Sequence, residues 1–430
     1  MNMPNILYLH SHDTGRYIQP YGHAVPTPNI QRLAEQGVLF RQNFCAGPTC
    51  SPSRASLLTG QCAHSSGMIG LAHRGFSLKD YKQHIVHTLR KVSYHSALSG
   101  VQHVAKNAEI IGYDKILTTQ GGKAAQTAVD FLDNAPPQPF FLSVGFGVTH
   151  RKFPEPGPDE DDRYCLPPAP IPDTPETRQD MAAFKASARI LDRNIGIVLE
   201  ALDKNSLAEN TLVICTTDHG IAFPGMKCNL TDHGIGVMLI MRGPGGFTSG
   251  QVCDAMVSHI DVFPTICDLL AIEHPQWLQG ESMMPLIRGE ADEINEEIFS
   301  EVTYHAAYEP QRAVRTHRWK YIRRFEERHT PVLPNCDDSL SKDIWMKHGW
   351  REQPVPQEQL YDLIFDPNET HNLAGESSMD EVLDEMRGRL ERWMLATDDP
   401  LLKGPVPAPS GARFNNPDGI SPQEEALVAP

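Results

Sequence analysis

The chain is short of positive charge and has no long apolar run. Lysine and arginine number 38 against 54 acidic residues, a formal net charge of −16 over 430 residues. That balance argues against nucleic acid or an anionic membrane as a general partner, so an anionic ligand must be drawn in by a local cationic pocket. No segment approaches transmembrane length. The opening MNMPNILYLHSHD has no basic region, extended apolar core or small-residue cleavage site, and reads as a first strand, not a signal peptide. The nine cysteines are odd in number, scattered and free of any C-x-x-C pair, which indicates neither a zinc ribbon nor a full disulfide framework. A reduced, cytoplasmic protein is the simplest expectation. G-x-S-x-G is also missing, which argues against a Ser-His-Asp esterase.

The most informative stretch present is residues 50–60, CSPSRASLLTG. A cysteine two residues before proline lies in extended or turning backbone, because proline disfavours helix in the residue ahead of it. Ser53 is then expected to cap a helix beginning near Arg54. Such a helix start aims N–H groups and a positive dipole end at the loop holding Cys50. Arg54 adds a charge that cannot be titrated away. The thiol therefore sits in an expected anion site, set against the plainer reading of a buried cysteine at an ordinary helix start.

Along the chain, short apolar runs end in polar residues. Ile6–Leu9 runs into His10-Ser11-His12-Asp13-Thr14-Gly15, Ser96–Ser99 into Gly100–His103, Pro139–Gly145 into Gly147–His150, and Thr211–Thr216 into Thr217-Asp218-His219-Gly220. Further strands are expected at 38–40 and 237–241. Strands alternating with helices imply α/β architecture, a largely parallel sheet covered on both faces. Buried strands that release polar groups at their carboxyl ends place ligands there. Apolar positions from Met181 to Leu202 recur at three and four, the clearest amphipathic helix. Residues 153–175 are proline-rich and acidic, a long loop able to frame a cleft. The texture divides the chain into a catalytic domain at 1–309, a smaller α+β subdomain at 310–400, and a proline-rich tail or wrapping arm at 401–430.

The string from Cys50 to Gly60 resembles the signature of type I sulfatases, within them most nearly that of the heparan N-sulfatases. Asp218-His219-Gly220, the 139–142 strand followed by His150, and Glu358–Asp362 continuing through Leu373 resemble later segments of the same family. The resemblance spans most of 4–395 and implies an alkaline-phosphatase-like fold. It implies that Cys50 is converted to formylglycine by a formylglycine-generating enzyme, and that Arg54 holds the hydrated aldehyde. Asp13, Asp218 and His219 would bind a divalent metal, with His12 as fourth ligand and position 50 completing the shell. His103 would take a proton as sulfate leaves, His150 would contact sulfate or protonate the leaving group, and Lys227 would bind sulfate. The substrate would be a sulfate ester or sulfamate on a sugar, as in glycosaminoglycan degradation, and a homo-oligomer is compatible with the reading.

Two departures stand out. His12 replaces an aspartate, and His219 occupies a position that is often asparagine in the family; the family metal is calcium, whereas imidazole suits manganese, zinc or iron. The family's Gly-Lys-x-His is Gly100-Val101-Gln102-His103 here, with Lys106 three residues on as a candidate replacement for substrate binding. A phosphonate or phosphate diester hydrolase on the same scaffold, and an inactive glycan-binding homologue, stand as alternatives.

Overall fold

The computed structural model describes residues 3–430. Its larger sheet has eight strands: β1 (Asn5–His10), β2 (Val38–Phe44), β3 (His95–Gly100), β4 (Lys115–Thr118), β5 (Phe140–Gly145), β6 (Thr211–Thr216), β7 (Leu239–Arg242) and β8 (Gln251–Ser258), in the order β4-β3-β5-β1-β6-β7-β2-β8. β1 lies between parallel neighbours β5 and β6, and every residue in it is buried. An unbroken apolar run is what burial on both faces demands. Successive side chains take opposite faces. Ile6 and Tyr8 join the core layer containing Leu57 and Leu58, whereas Leu7 and Leu9 join the layer with Leu191, Ile195 and Val198. The sheet is mixed, because β7 runs antiparallel to both β6 and β2. β4 and β8 were not legible: β4 is short and β8 is exposed over its first half.

Of the helices, α1 (Pro28–Gln36) follows the β1 loop and α2 (Cys50–Thr59) follows β2. α1, α3 (Ala124–Asp133) and α4 (Pro175–Lys204) cover the face opposite α2. α4 starts with a capping box, Thr174 and Thr177 bonding each other's backbone N–H. α2 departs from expectation. It begins at Cys50, capped by extended Thr49, and Ser53 lies inside it. Proline costs nothing in a first turn, where its missing N–H has no partner to lose, so Pro52 permits the earlier start. Ser53 Oγ instead donates to the Asp218 carbonyl.

A second, antiparallel sheet is formed by β9 (Ile298–Tyr304), β10 (Tyr308–Arg315), β11 (Trp319–Arg324) and β12 (Glu358–Asp362). It opens at Ile298, ahead of the texture change read at 310, and residues 308–324 form two antiparallel strands joined by a turn. One face packs on Phe44, Leu230 and Val237 of the larger layer; the other packs on α6 (Asp380–Ala396) through Leu383, Met386 and Leu390. The stretch around Trp345 contains α5 (Leu340–Lys347), capped by Ser339. Residues 401–430 run back over the molecule; Asn415 is buried and pairs with Ala307 in the bend between β9 and β10. All nine cysteines are unpaired. No helix among the described residues is long and apolar enough to cross a membrane.

Candidate active site

The carboxyl ends of β1 and β6, adjacent in the sheet, deliver the two acidic loops side by side. Asp13 takes a left-handed backbone, φ 47°, and its N–H donates to Asp218 Oδ1 at 2.8 Å. The His219 N–H donates to the same oxygen at 2.9 Å. The loops touch at Gly15, φ +55°, where an added Cβ would lie 3.2 Å from Gly220 Cα. Left-handed backbone in a non-glycine residue costs on the order of 1 kcal/mol, and such residues gather at functional sites.

α2 brings Cys50 to these loops from the other side. Cys50 is 2% exposed and its Sγ lies 3.4 Å from His219 Nε2. Burial pushes the thiol well above its usual value, with Lys227 opposing. An unmodified Cys50 is thus protonated and a poor nucleophile. Arg54, one turn on and on the same helix face, places Nη2 2.9 Å from Asp218 Oδ2 and 2.6 Å from the Ser11 carbonyl. Burial alone would raise Asp218, but His219, Arg54 and His12 hold it well below the carboxylate range.

Donor atoms of His12, Asp13, Cys50 and Asp218 lie within 4.8 Å of one another. His219 Nε2 joins them, 3.3 Å from Asp13 Oδ1 and 3.7 Å from Asp218 Oδ1. His12 Nδ1 and Asp13 Oδ1 are buried without a hydrogen bond, a debt that buried polar atoms seldom carry. Burial first, then Arg54, holds His12 down at about 4, so its ring is neutral and its lone pair available. Two carboxylates, two imidazoles and two unsatisfied donor atoms at one point fit a divalent cation, and the mixed oxygen and nitrogen set suits ions that accept imidazole.

Histidines form the rim. The His12 ring lies 5.7 Å from that of His103 and 5.5 Å from that of His150. His103 has φ 58°, and its Nδ1 is buried without a partner. His73 Nδ1 lies 2.9 Å from His103 Nε2, the rings stacked. His150 Nδ1 donates to the Arg151 carbonyl. Lys227, 3% exposed, reaches Asp13 Oδ2 at 3.1 Å and Asp337 Oδ2 at 2.9 Å. Burial opposes its charge, yet the two carboxylates hold it well above the usual lysine value.

Of the residues expected from the sequence, His12, Asp13, Cys50, Arg54, His103, His150, Asp218, His219 and Lys227 are gathered here. Lys106 is not: it is exposed and has neither hydrogen bond nor ion pair among the described residues. The chain turns at His103, and Gln102, not Lys106, is engaged inward, binding the Val104 and Ala105 backbone. Three residues were missed. Asp337 comes from the irregular stretch before α5, and His305 from the bend between β9 and β10. His305 is buried with Nδ1 unpartnered, and burial, then Lys227, holds it well below its usual value. His73 carries no motif at all.

The sheet and the acids gathered at its carboxyl edge define an alkaline-phosphatase-like hydrolase. The chain belongs to the sulfatase family: that family's profile matches residues 4–272, and the C-terminal profile of N-sulphoglucosamine sulphohydrolase matches 226–336. It is 28% identical to human N-sulphoglucosamine sulphohydrolase, covering 93% of this chain and 92% of that protein. An ulvan-active sulfatase of Formosa agariphila is also 28% identical, over 98% of this chain and 87% of the relative. Among solved structures, a protein in complex with its substrate D-glucosamine-2-N,6-O-disulfate superposes with a TM-score of 0.75 at 17% identity, covering 94% and 99% of the two chains. That likeness is one of fold.

Proposed function

We propose that the protein hydrolyses a sulfate ester or sulfamate on a sugar-type substrate resembling N-sulfoglucosamine, using a formylglycine made from Cys50. The observation that carries this reading is the meeting of Cys50 with Asp13, Asp218, His12 and His219 at one buried point. The relatives named above, a sulfohydrolase of N-sulphoglucosamine and a glycan sulfatase, support the substrate class.

His12, Asp13, Asp218 and His219 would hold a divalent ion, which supplies positive charge against the sulfo oxygens. Formylglycine at position 50 would supply a hydrated aldehyde, a nucleophilic oxygen for sulfur with a second hydroxyl that would let sulfate be expelled. Arg54, buried between Asp218 and the end of β1, fixes that position from the helix side. Lys227 adds a buried cation that stabilises charge developing on sulfo oxygens, a role that gains strength where water is excluded. His103, with one ring nitrogen within 4.8 Å of the Cys50 sulfur and its Nδ1 unpartnered, would accept the proton of the group at position 50. His150, with Nδ1–H given to Arg151, keeps Nε2 for the proton delivered to the departing alcohol or amine.

The test is the mass of the Cys50 peptide from protein co-expressed with a formylglycine-generating enzyme, followed by turnover of sulfated sugars. Conversion at position 50 and loss of turnover in Cys50→Ala are expected; turnover that survives Cys50→Ala overturns the reading. The imidazoles at positions 12 and 219 favour a second activity, on phosphonate or phosphate diesters, measured by side-by-side rates with aryl sulfate and aryl phosphonate.

A further inference from the structure

The C-terminal arm brings unneutralised positive charge to the rim of the candidate site. Its short strand Arg413–Phe414 pairs with Leu427–Val428, and residues on both sides of Arg413 are pinned beside the site. Ala412 is buried against Gly75, where an added Cβ would come 2.9 Å from Ala412 Cα. Asn415 accepts from Arg74 Nη1 at 2.7 Å, and its own N–H donates to the Ala306 carbonyl at 2.6 Å. Gly75 and Arg74 directly follow His73, whose ring stacks on His103; Ala306 directly follows His305. Arg413 is therefore held between two segments that each carry a rim histidine.

Neither arginine has a carboxylate partner among the described residues. Arg74 donates only to the Ala306 carbonyl, Asn415 Oδ1 and the Pro422 carbonyl. Arg413 is exposed with a free guanidinium. Arg413 lies close enough to disfavour the charge on Arg74 and, together with Arg74, that on His73, after the effect of burial. In a chain of net charge −16, a pair of like charges left without a carboxylate at a rim is a place for an external anion.

We propose that Arg413 and Arg74, with His73 beside them, form a second anion subsite that receives a carboxylate or further sulfo group of the substrate while the sulfo group to be cleaved lies at Cys50. The substrate class is then a saccharide carrying at least two anionic groups. This rests on the sulfatase reading, and the experiment separates the two. Arg413→Gln and Arg413→Lys are compared with the wild type on three probes: N-sulfoglucosamine, D-glucosamine-2-N,6-O-disulfate, and N-sulfoglucosamine joined to a uronic acid. In Arg413→Gln, KM for at least one doubly charged sugar is expected to rise roughly tenfold more than KM for the singly charged one, with kcat held, and Arg413→Lys to restore part of it. Which sugar responds identifies the anion as sulfo or carboxylate. A change of equal size on all three probes, or none, overturns the subsite. If the wild type turns over no sulfated sugar, the sulfatase reading fails; calorimetric binding of the disulfate to Cys50→Ala, with and without Arg413→Gln, still decides the subsite by the same ratio. Matching melting temperatures exclude a folding defect.

Discussion

Replacing Arg312 by methionine tests whether the two layers are held together by a buried ion cluster. Arg312 is fully buried on β10, bonded through Nε and Nη2 to Asp399 and lying 3.2 Å from Glu301 Oε2. Glu301 and Asp399 in turn face His64, at 2.9 Å and 3.6 Å from its Nδ1. Two cations and two carboxylates thus balance, and the cluster links the segment after α2 to β9, β10 and the residues after α6. Methionine fills similar volume but leaves two carboxylates facing one imidazolium. Breaking a buried pair by removing one partner costs about 3–5 kcal/mol. With an unfolding entropy of about 2.1 cal/mol/K per residue, a chain of this length has about 0.9 kcal/mol/K, so the melting temperature is expected to fall by about 3–6 °C in calorimetry. Removing a facing charge by Asp399→Asn in the same background is expected to recover part of the loss. Burial would depress His64, but Glu301 and Cys62 lift it from 6.5 to about 10. A raised value in the folded state means stability fully present below pH 6.5 and lost as pH climbs through 10. The wild type is therefore expected to lose more stability between pH 7 and 10 than His64→Gln does. A melting shift below about 1 °C in Arg312→Met, with no difference in pH slope, refutes the reasoning.

His12→Asp converts the mixed donor set to one richer in oxygen, and is expected to move the larger thermal stabilisation from manganese or zinc to calcium, at about 2.7 kcal/mol for ion at a hundred times Kd. Melting curves with each ion check it, and an unchanged order of ions counts against the assigned ligands. Lys227→Met removes the cation shared by Asp13 and Asp337, and kcat/KM on a sulfated sugar is expected to fall by about 10²- to 10³-fold, as for other preorganised oxyanion contacts. A loss below about threefold in steady-state kinetics would remove Lys227 from the chemistry.

The parts of the site legible in sequence are those that one strand end or one helix turn delivers on its own. Asp13, Asp218 and His219 follow buried apolar runs directly, and Cys50 and Arg54 sit one helical turn apart. Ser53 was misplaced because a local cap rule was applied where proline in a first turn let the helix start earlier, freeing the hydroxyl for the Asp218 carbonyl. Asp337 and His305 had no local signal: they enter only because the second sheet packs on the first, a long-range event that sequence spacing does not record. Lys106 failed for the opposite reason. Its spacing from His103 was suggestive, but the left-handed turn at His103 and the Gln102 bonds send the chain elsewhere. The mixed direction of the larger sheet was likewise hidden, since β7 is apolar in either orientation.

The sealed position of Cys50 sets an order of events in the life of the protein. Every residue of α2 is buried, and the sulfur lies behind histidines and strand-end loops from three other parts of the chain, at 12–13, 103 and 218–219. A catalyst the size of an enzyme has no path to that atom once these parts have docked. Were Cys50 converted by another protein, as the proposed function requires, the conversion would have to be finished on a chain still loose, and material that folded first would keep the thiol until it was unfolded again.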